Sequence, residues 1–304
     1  MVIPPLEVSI LKKLIGTHSG SFHADDVFAV ASLSLLYPDY EIHRSRDPEI
    51  WERCDFLVDV GGSYDHNNRK YDHHFRNGPT YEDGLPMSSI GLVWKHYGAD
   101  ICKSSEIADQ VCRLLIRGLD ANDNGITLSV KGEGTPDAQE ISLSKSIAIM
   151  NHLNPASADT AFAAEVDRAR LFLQAVIADA EIWVSSREEV ESALKEALKE
   201  DLSYIEVSEN CMWQEHLLKS DTNDSILYTL YQRGLKWYVR AVPSREAGYK
   251  NRRDFPEEWG GLSGEEFSQA AGIADGIFCH QSLFICAAKS KESALSLIHK
   301  SSVN

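Results

Sequence analysis

The chain of 304 residues contains no run of about 18 uninterrupted apolar residues, so its sequence offers no obvious membrane-spanning helix. None of its six cysteines (Cys54, Cys102, Cys112, Cys211, Cys279 and Cys286) forms a Cys-x-x-Cys pair, which argues against a structural zinc site and, in so long a chain, against a disulfide framework. Basic charge is scarce: 30 lysines and arginines face 46 acidic residues, a net charge of −16 that disfavours broad, nonspecific adhesion to DNA or RNA. That balance excludes no local site, because bound cations would reverse the field around acidic ligands. There is no internal repeat and no low-complexity tract. The segment from Met1 to Gly16 carries Glu7 ahead of its lysines and has neither the charged-then-apolar order of a signal peptide nor the arginine-rich look of a transit peptide. The expected location is the reducing cytoplasm.

What is present is ordinary globular composition, 43% apolar and 25% charged, in a chain too long for one small core. Two domains are the natural expectation. The first half alternates short aliphatic runs with helical patterns, as in an α/β domain whose parallel strands carry sites at their carboxyl ends. Lys13–Thr17, Tyr40–Arg44 and Phe56–Val60 read as strands, the last ending at Gly61-Gly62. Ala24–Tyr37, Ser88–Tyr97 and Glu106–Leu119 read as helices. Ser157 to about Leu202 is almost wholly helical, with Phe162, Val166, Ala169, Leu173 and Val176 three or four apart. Strand-like runs return at Tyr204–Val207, Ile226–Tyr231 and Leu235–Val242, followed by a Pro/Gly-rich stretch near Phe255–Gly264. The predicted organisation is therefore an α/β, parallel-sheet N-terminal domain (1–155), a helical connector (156–202) and a smaller α+β C-terminal domain (203–304).

Six of the eleven histidines fall between His18 and His74, interleaved with aspartates. His18 and His23-Ala24-Asp25-Asp26 follow the first strand, Asp59 ends the third, Asp72-His73-His74 follows a short hydrophilic turn, and Asp120 and Asp123 follow a helix. Four segments can thus converge on one sheet edge. Mixed imidazole and carboxylate donors suit Mn²⁺, Zn²⁺ or Fe²⁺ better than Ca²⁺. The donors exceed the needs of one ion, and a carboxylate at a strand end can bridge two ions that activate a water and clamp a phosphoryl displacement. Asp59 is the bridging candidate.

These motifs, together with Arg46-Asp47-Pro48, Val58-Asp59-Val60-Gly61-Gly62 and Ser88-Ser89-Ile90-Gly91, resemble in order those of the Myg-type (melanocyte proliferating gene one) family. That family belongs to the Asp-His-His (DHH) phosphoesterase superfamily, with the RecJ-type exonucleases and family II pyrophosphatases. The resemblance extends through Trp237-Tyr-Val-Arg240-Ala-Val-Pro243, Pro256-Glu-Glu-Trp259-Gly-Gly-Leu262, Ala271-Gly272-Ile273 and Phe278-Cys-His280. It implies a DHH-type, metal-binding catalytic N-terminal domain, a substrate-binding C-terminal domain and a phosphodiesterase using two divalent ions, Mn²⁺ with Mg²⁺ or Zn²⁺ as alternatives, that digests single-stranded RNA or short oligonucleotides from 3′ to 5′. It further implies metal ligands among His18, His23, Asp25, Asp59, Asp72, Asp120 and Asp123, catalytic roles for His73, His74 and Asp26, and substrate contacts by Arg46, Arg240 and His280. Where the family more often has His-x-Asp-Glu, this chain has Asp25-Asp26, and Gly260 stands where a basic residue is common.

Each residue also has a plainer reading. His23 and Asp25 can cap a helix, Asp26 can combine that role with one in the site, Asp120 and Asp123 can form an Asx turn, and Arg46 or Arg240 can sit in a salt bridge. His280 can be a buried histidine, and Trp237, Trp259 and Phe278 can be core rather than base-stacking residues. His43, His66, His96 and Asp65 read as packing, surface or turn residues. Two other functions stay open: a phosphohydrolase of small nucleotides or pyrophosphate, and a noncatalytic metal-binding protein. The sequence also leaves the oligomeric state open, a homodimer included.

Overall fold

The computed structural model describes residues 12–128, 140–153, 158–245 and 250–303. Most of the N-terminal segment weighed as a leader, Ser157 at the start of the expected connector and the adjoining domain limits at 155 and 156 lie outside the described residues.

The aliphatic run Lys13–Thr17 forms β1 and pairs in parallel with β2 (Tyr40–Arg44) on one side and β3 (Phe56–Val58) on the other. Two short strands, β4 (Tyr64–Asp65) and β5 (Lys70–Tyr71), complete a sheet of order β2-β1-β3-β5-β4, in which β5 runs parallel to β3 and only β4 is antiparallel. The predicted third strand ends at Val58, not Val60, because Asp59 leaves the extended region with φ of 55°. Helix α1 (Ala24–Leu36) is buried along most of its length, as Val27, Phe28, Val30 and Leu33 all are. Helix α2 (Pro48–Trp51) is one turn, started by the Asp47 side chain accepting from the Glu49 amide and by proline at its first position.

Helix α3 (Ser89–Cys102) is followed by a helical run made of α4 (Ser105–Val111), a π-helical turn over Cys112–Ile116 and α5 (Arg117–Asp123). This run outlasts the predicted Glu106–Leu119 helix by one turn, which places Asp120 and Asp123 on a helix and not in an Asx turn. Helix α6 (Leu143–Met150) comes next.

Helix α7 (Ala158–Lys199) is one element of 42 residues. The chain divides inside it into two compact units, Met1–Ala180 and Glu181–Asn304. Phe162, Val166, Ala169 and Leu173 bury the expected stripe in the core of the first unit, where a fully buried Phe or Leu contributes about 1.5–3 kcal/mol. Val190, Leu194 and Ala197 join a core of the second unit.

The second unit contains β6 (Tyr204–Glu206), α8 (Trp213–Ser220), β7 (Tyr228–Arg233), β8 (Lys236–Ala241), α9 (Gly264–Ala271), β9 (Gly276–Cys279), β10 (Ile285–Ala288) and α10 (Lys291–Val303). Its sheet order is β6-β7-β8-β10-β9, antiparallel except for the β6–β7 pair. Trp259 is buried in its core, as its plainer reading held. No helix among the described residues is long and apolar enough to cross a membrane.

Candidate metal centre

The site lies at the carboxyl ends of β1 and β3, where loops of a parallel sheet gather ligands. His18 follows β1 and is nearly buried; its Nδ1 faces the Ser19 carbonyl at 3.2 Å, which leaves Nε2 for the site. That Nε2 lies 3.1 Å from Asp26 Oδ2 and 3.2 Å from Asp59 Oδ2. Asp59 Oδ1 faces His73 Nε2 at 3.3 Å and His74 Nδ1 at 3.4 Å. His73 Nε2 also lies 3.1 Å from Asp123 Oδ2 and 3.8 Å from Asp25 Oδ2. One carboxylate, Asp59, therefore touches imidazoles on both sides. Its positive φ is tolerated by aspartate better than by most side chains, and it swings the carboxylate out of the strand.

Asp25 and Asp26 occupy the first turn of α1. Asp26 Oδ1 accepts from the His23 amide at 3.0 Å, closing the helix start, while its other oxygen faces His18, so capping and site roles coexist. Asp25 is 1% exposed, and neither of its oxygens has a hydrogen-bond partner. Asp59 Oδ1 and His73 Nε2 are likewise buried and unbonded, although they face one another at short range. Buried polar groups are nearly always satisfied, so several orphaned lone pairs directed into one volume are the signature of a cation site.

Electrostatics agree. Burial, reinforced by Asp59, Asp123 and Asp26, pushes the Asp25 carboxyl well above its ordinary range. Burial also raises Asp26, against the opposing pull of His18. Burial alone would depress His18, but Asp26 and Asp59 outweigh it and push the imidazolium up to about 10. His73 is pushed up to about 10 by Asp123 and Asp59, again against burial. Asp59 is held down to about 2 because His18 and His73 outweigh its own burial.

Three groups have donor atoms close enough to hold an ion: His18, His23 and Asp59; Asp59, His73 and His74; and His23, Asp25 and Asp123. Asp59 and His23 each belong to two groups, so the donors fit more than one divalent ion. An open cleft of about 960 Å³, lined by His18, His23, Arg46, Trp51, Asp59 and His74, reaches one side of the cluster. A smaller pocket of about 220 Å³ lined by His23, Asp25, Asn122 and Asp123 reaches another.

Residues 14–302 match the MYG1 exonuclease family, described as "Uncharacterised protein family (UPF0160)". The chain belongs to that family. It is similar to the MYG1 exonuclease of Homo sapiens, with 34% identity covering 97% of this chain and 88% of the relative. The MYG1 protein YER156C of Saccharomyces cerevisiae is 35% identical, with 95% of both chains covered. Among solved structures, the pGpG-specific phosphodiesterase PggH of Vibrio cholerae aligns with 96% of this chain and 99% of its own at 13% identity and a TM-score of 0.32. The human relative is named for a hydrolytic activity, and the cluster in this chain has the donor set of a metal-dependent hydrolase.

Not every residue anticipated for the site reaches the cluster. Asp120 is buried with its carboxylate taken up elsewhere: Oδ1 accepts from the Ser88 amide, the Ser88 hydroxyl and the Gly91 amide at 2.7–3.1 Å, and Oδ2 from Tyr81 at 2.7 Å. It ties α5 to the start of α3, and a Cβ on Gly91 would run into it. Burial raises its carboxyl, although the Ser88 and Tyr81 hydrogen bonds oppose the shift. Asp72 also lies outside the ion-capable groups. Its oxygens accept from the Gly62 amide at 2.5 Å and the His74 amide at 3.0 Å, and its Oδ1 meets His74 Nδ1 at 2.8 Å, fixing the glycine turn and the exposed His74 ring.

Arg46 lines the cleft with a guanidinium nitrogen 3.5 Å from His18 Nδ1. Arg240 and His280 belong to the second unit, where His280 Nδ1 accepts from the Ser282 amide at 3.0 Å. His43 pairs with Glu41, and His66 stacks on His96 at 3.6 Å between ring centroids, so all three stay out of the cluster.

Two contributors escaped the sequence reading. Trp51 walls the cleft with its indole N–H bonded to the Ser45 carbonyl at 2.9 Å, and the Asp47-Pro48 helix start four and three residues earlier was the signal for it. Asn151, just past α6, accepts from the Phe22 amide at 2.9 Å and donates to its carbonyl at 2.8 Å, pinning the loop that presents His23. Nothing in the sequence links positions 129 residues apart.

Proposed function

We propose that this MYG1 family member is a phosphodiesterase that removes nucleotides from the 3′ end of single-stranded RNA, with Mn²⁺ as the working ion. The observation that carries the metal-dependent part is the Asp25 carboxylate, buried and unbonded among donor groups that share Asp59 and His23. In this reading His18, His23, Asp25, Asp59, His73 and Asp123 would hold two divalent ions, and Asp59 belongs to two of the donor groups. Bound ions would supply an activated water and neutralise charge developing on the phosphodiester.

The chain's own residues do the rest. Asp26 orients His18, Asp72 orients His74, and Asp120 sets the helix that carries Asp123. His74, with a side chain 63% exposed beside Asp59, can contact a phosphate oxygen or protonate the leaving oxygen. Arg46 brings a planar guanidinium into the same cleft and can grip a phosphate by two parallel hydrogen bonds. We assign substrate binding in the second unit to Arg240 and His280.

The test is digestion of end-labelled single-stranded RNA and DNA, with pyrophosphate and dinucleotides alongside, by chelator-treated protein with Mn²⁺ restored. Stepwise 3′ shortening of RNA is expected, and Asp59→Ala is expected to lower the rate at least about a thousandfold while circular dichroism stays unchanged. Turnover confined to the small substrates would instead make the chain a small-nucleotide or pyrophosphate phosphohydrolase. Unchanged activity in Asp59→Ala would remove the mechanism altogether.

A further inference from the structure

The second unit contains a cleft of its own, about 550 Å³, whose walls include Trp183, Met212, Trp213, Leu218 and Arg240. Its volume is in the range that holds a single nucleotide-sized ligand. Arg240 projects from β8 with its guanidinium carbon 5.7 Å from the Trp213 ring centroid and 5.8 Å from that of Phe284. Among the described residues no carboxylate pairs with it, whereas Arg233, Arg245 and Arg252 of the same unit each pair with an acidic partner.

Arg253 of the same unit also lacks a carboxylate, but its guanidinium donates to the Ser301 and Ser302 carbonyls, whereas that of Arg240 meets no acceptor among the described residues. Ring faces hold the guanidinium by cation–π attraction and leave its N–H edge available to donate. That edge matches the geometry of a phosphate. In the same cleft the Trp183 indole N–H donates to Glu215 at 3.1 Å and its ring lies 4.3 Å from that of His216, which anchors this aromatic side chain.

We infer that this cleft binds a nucleoside monophosphate, with Arg240 on the phosphate and the tryptophan walls against the base. A base stacked on an aromatic face contributes about 1–3 kcal/mol in nucleic-acid-binding proteins, and stacking tolerates any base. The lining holds one cation, Arg240, and one carboxylate, Glu215, a balance that suits a single phosphate better than a triphosphate. The inference deepens the reading above, since a nucleoside monophosphate is what the proposed exonuclease would release. It does not require the metal cluster, so the two can fail separately.

The experiment is titration of AMP, adenosine and inorganic phosphate into the full chain in chelator, followed by calorimetry and tryptophan fluorescence. AMP is expected to bind more tightly than either fragment, and Arg240→Ala to weaken it at least about tenfold, the loss of a charge-assisted hydrogen bond. Arg240→Gln, which keeps most of the side-chain volume, guards against a folding artefact, and both variants are checked by thermal melting. Asp59→Ala is expected to retain AMP affinity in chelator. Absence of AMP binding at millimolar concentration, equal affinity for phosphate alone, wild-type affinity in both Arg240 variants, or loss of binding in Asp59→Ala would each overturn the inference. Failure to digest RNA with AMP binding intact would sink the exonuclease reading and leave this one standing.

Discussion

Asp25 and Asp221 are both buried aspartates, one in each unit, and they are treated oppositely. Asp221 Oδ1 accepts from the Ser225 amide at 3.0 Å, while its Oδ2 accepts from the Ile226 amide at 2.9 Å and from the Arg252 guanidinium. Asp25, 1% exposed against 3% for Asp221, has no hydrogen-bond partner at either oxygen. The fold supplies everything Asp221 needs and leaves Asp25 dependent on a ligand from outside. A buried charge answered from within serves structure, and one left unanswered beside others of the same sign serves binding.

The largest effect that tests this contrast is on stability. Asp221→Ala takes the buried carboxylate from Arg252, leaving it the more exposed Asp224, and strips the Ser225 and Ile226 amides of their acceptor, so it is expected to cost about 3–5 kcal/mol in denaturant unfolding. Asp25→Asn removes a carboxyl that repels Asp59 and Asp123, so the metal-free protein is expected to gain about 1 kcal/mol or more while its affinity for Mn²⁺ collapses. Loss of stability in Asp25→Asn would show that Asp25 has an internal partner and would remove the distinction between the two aspartates.

A second test reads protons. His18 and His73 titrate near 10 in the folded, metal-free chain against an ordinary value of 6.5. Raised groups of this kind stabilise the fold fully below 6.5 and lose that contribution as pH climbs toward 10. Asp25, also raised, acts in the same sense as pH rises. Asp59, held down to about 2, acts in the other: its contribution is present above 3.8 and fades as pH falls toward 2. The metal-free protein is therefore expected to lose stability from neutral to alkaline pH, a slope that saturating Mn²⁺ removes. Both imidazoles must lose their proton to bind a cation, so Mn²⁺ binding at pH 8 is expected to release about two protons, measurable by calorimetry in buffers of different ionisation enthalpy. Binding without proton release would exclude His18 and His73 as ligands.

The same contrast explains what could be read in advance. β1 and β2 lie where the aliphatic runs put them, and the α7 stripe from Phe162 to Leu173 enters the core as its spacing requires. The shorter elements α6, α8 and α9, eight residues each, escaped notice because two turns leave too little periodicity to stand out. Clustering in sequence marked His18, His23, Asp25, Asp59, His73 and Asp123. It did not separate Asp120 from Asp123. Three residues apart on one helix, they share nearly the same face, and only the position of Ser88 and Gly91, 32 and 29 residues away, shows that Asp120 is engaged by α3.

The smallest predicted effect concerns a residue with neither charge nor access to the ions. Asn151 holds the backbone of Phe22 by two hydrogen bonds, and the next residue, His23, belongs to two of the three ion-capable groups. Asn151→Ala is expected to cost about 1–2 kcal/mol of stability and to lower Mn²⁺ affinity about tenfold, the effect of releasing a group that orients ligands. Asn68→Ala, which removes an equally real but exposed bond to Asp65, is expected to change stability by no more than about 0.5 kcal/mol and leave metal affinity alone. If the two variants bind Mn²⁺ equally well, the Phe22 clamp supports the fold without tuning the site. A selective loss in Asn151→Ala would show that the unsatisfied carboxylates are held ready by neutral groups drawn from the other end of the domain's sequence.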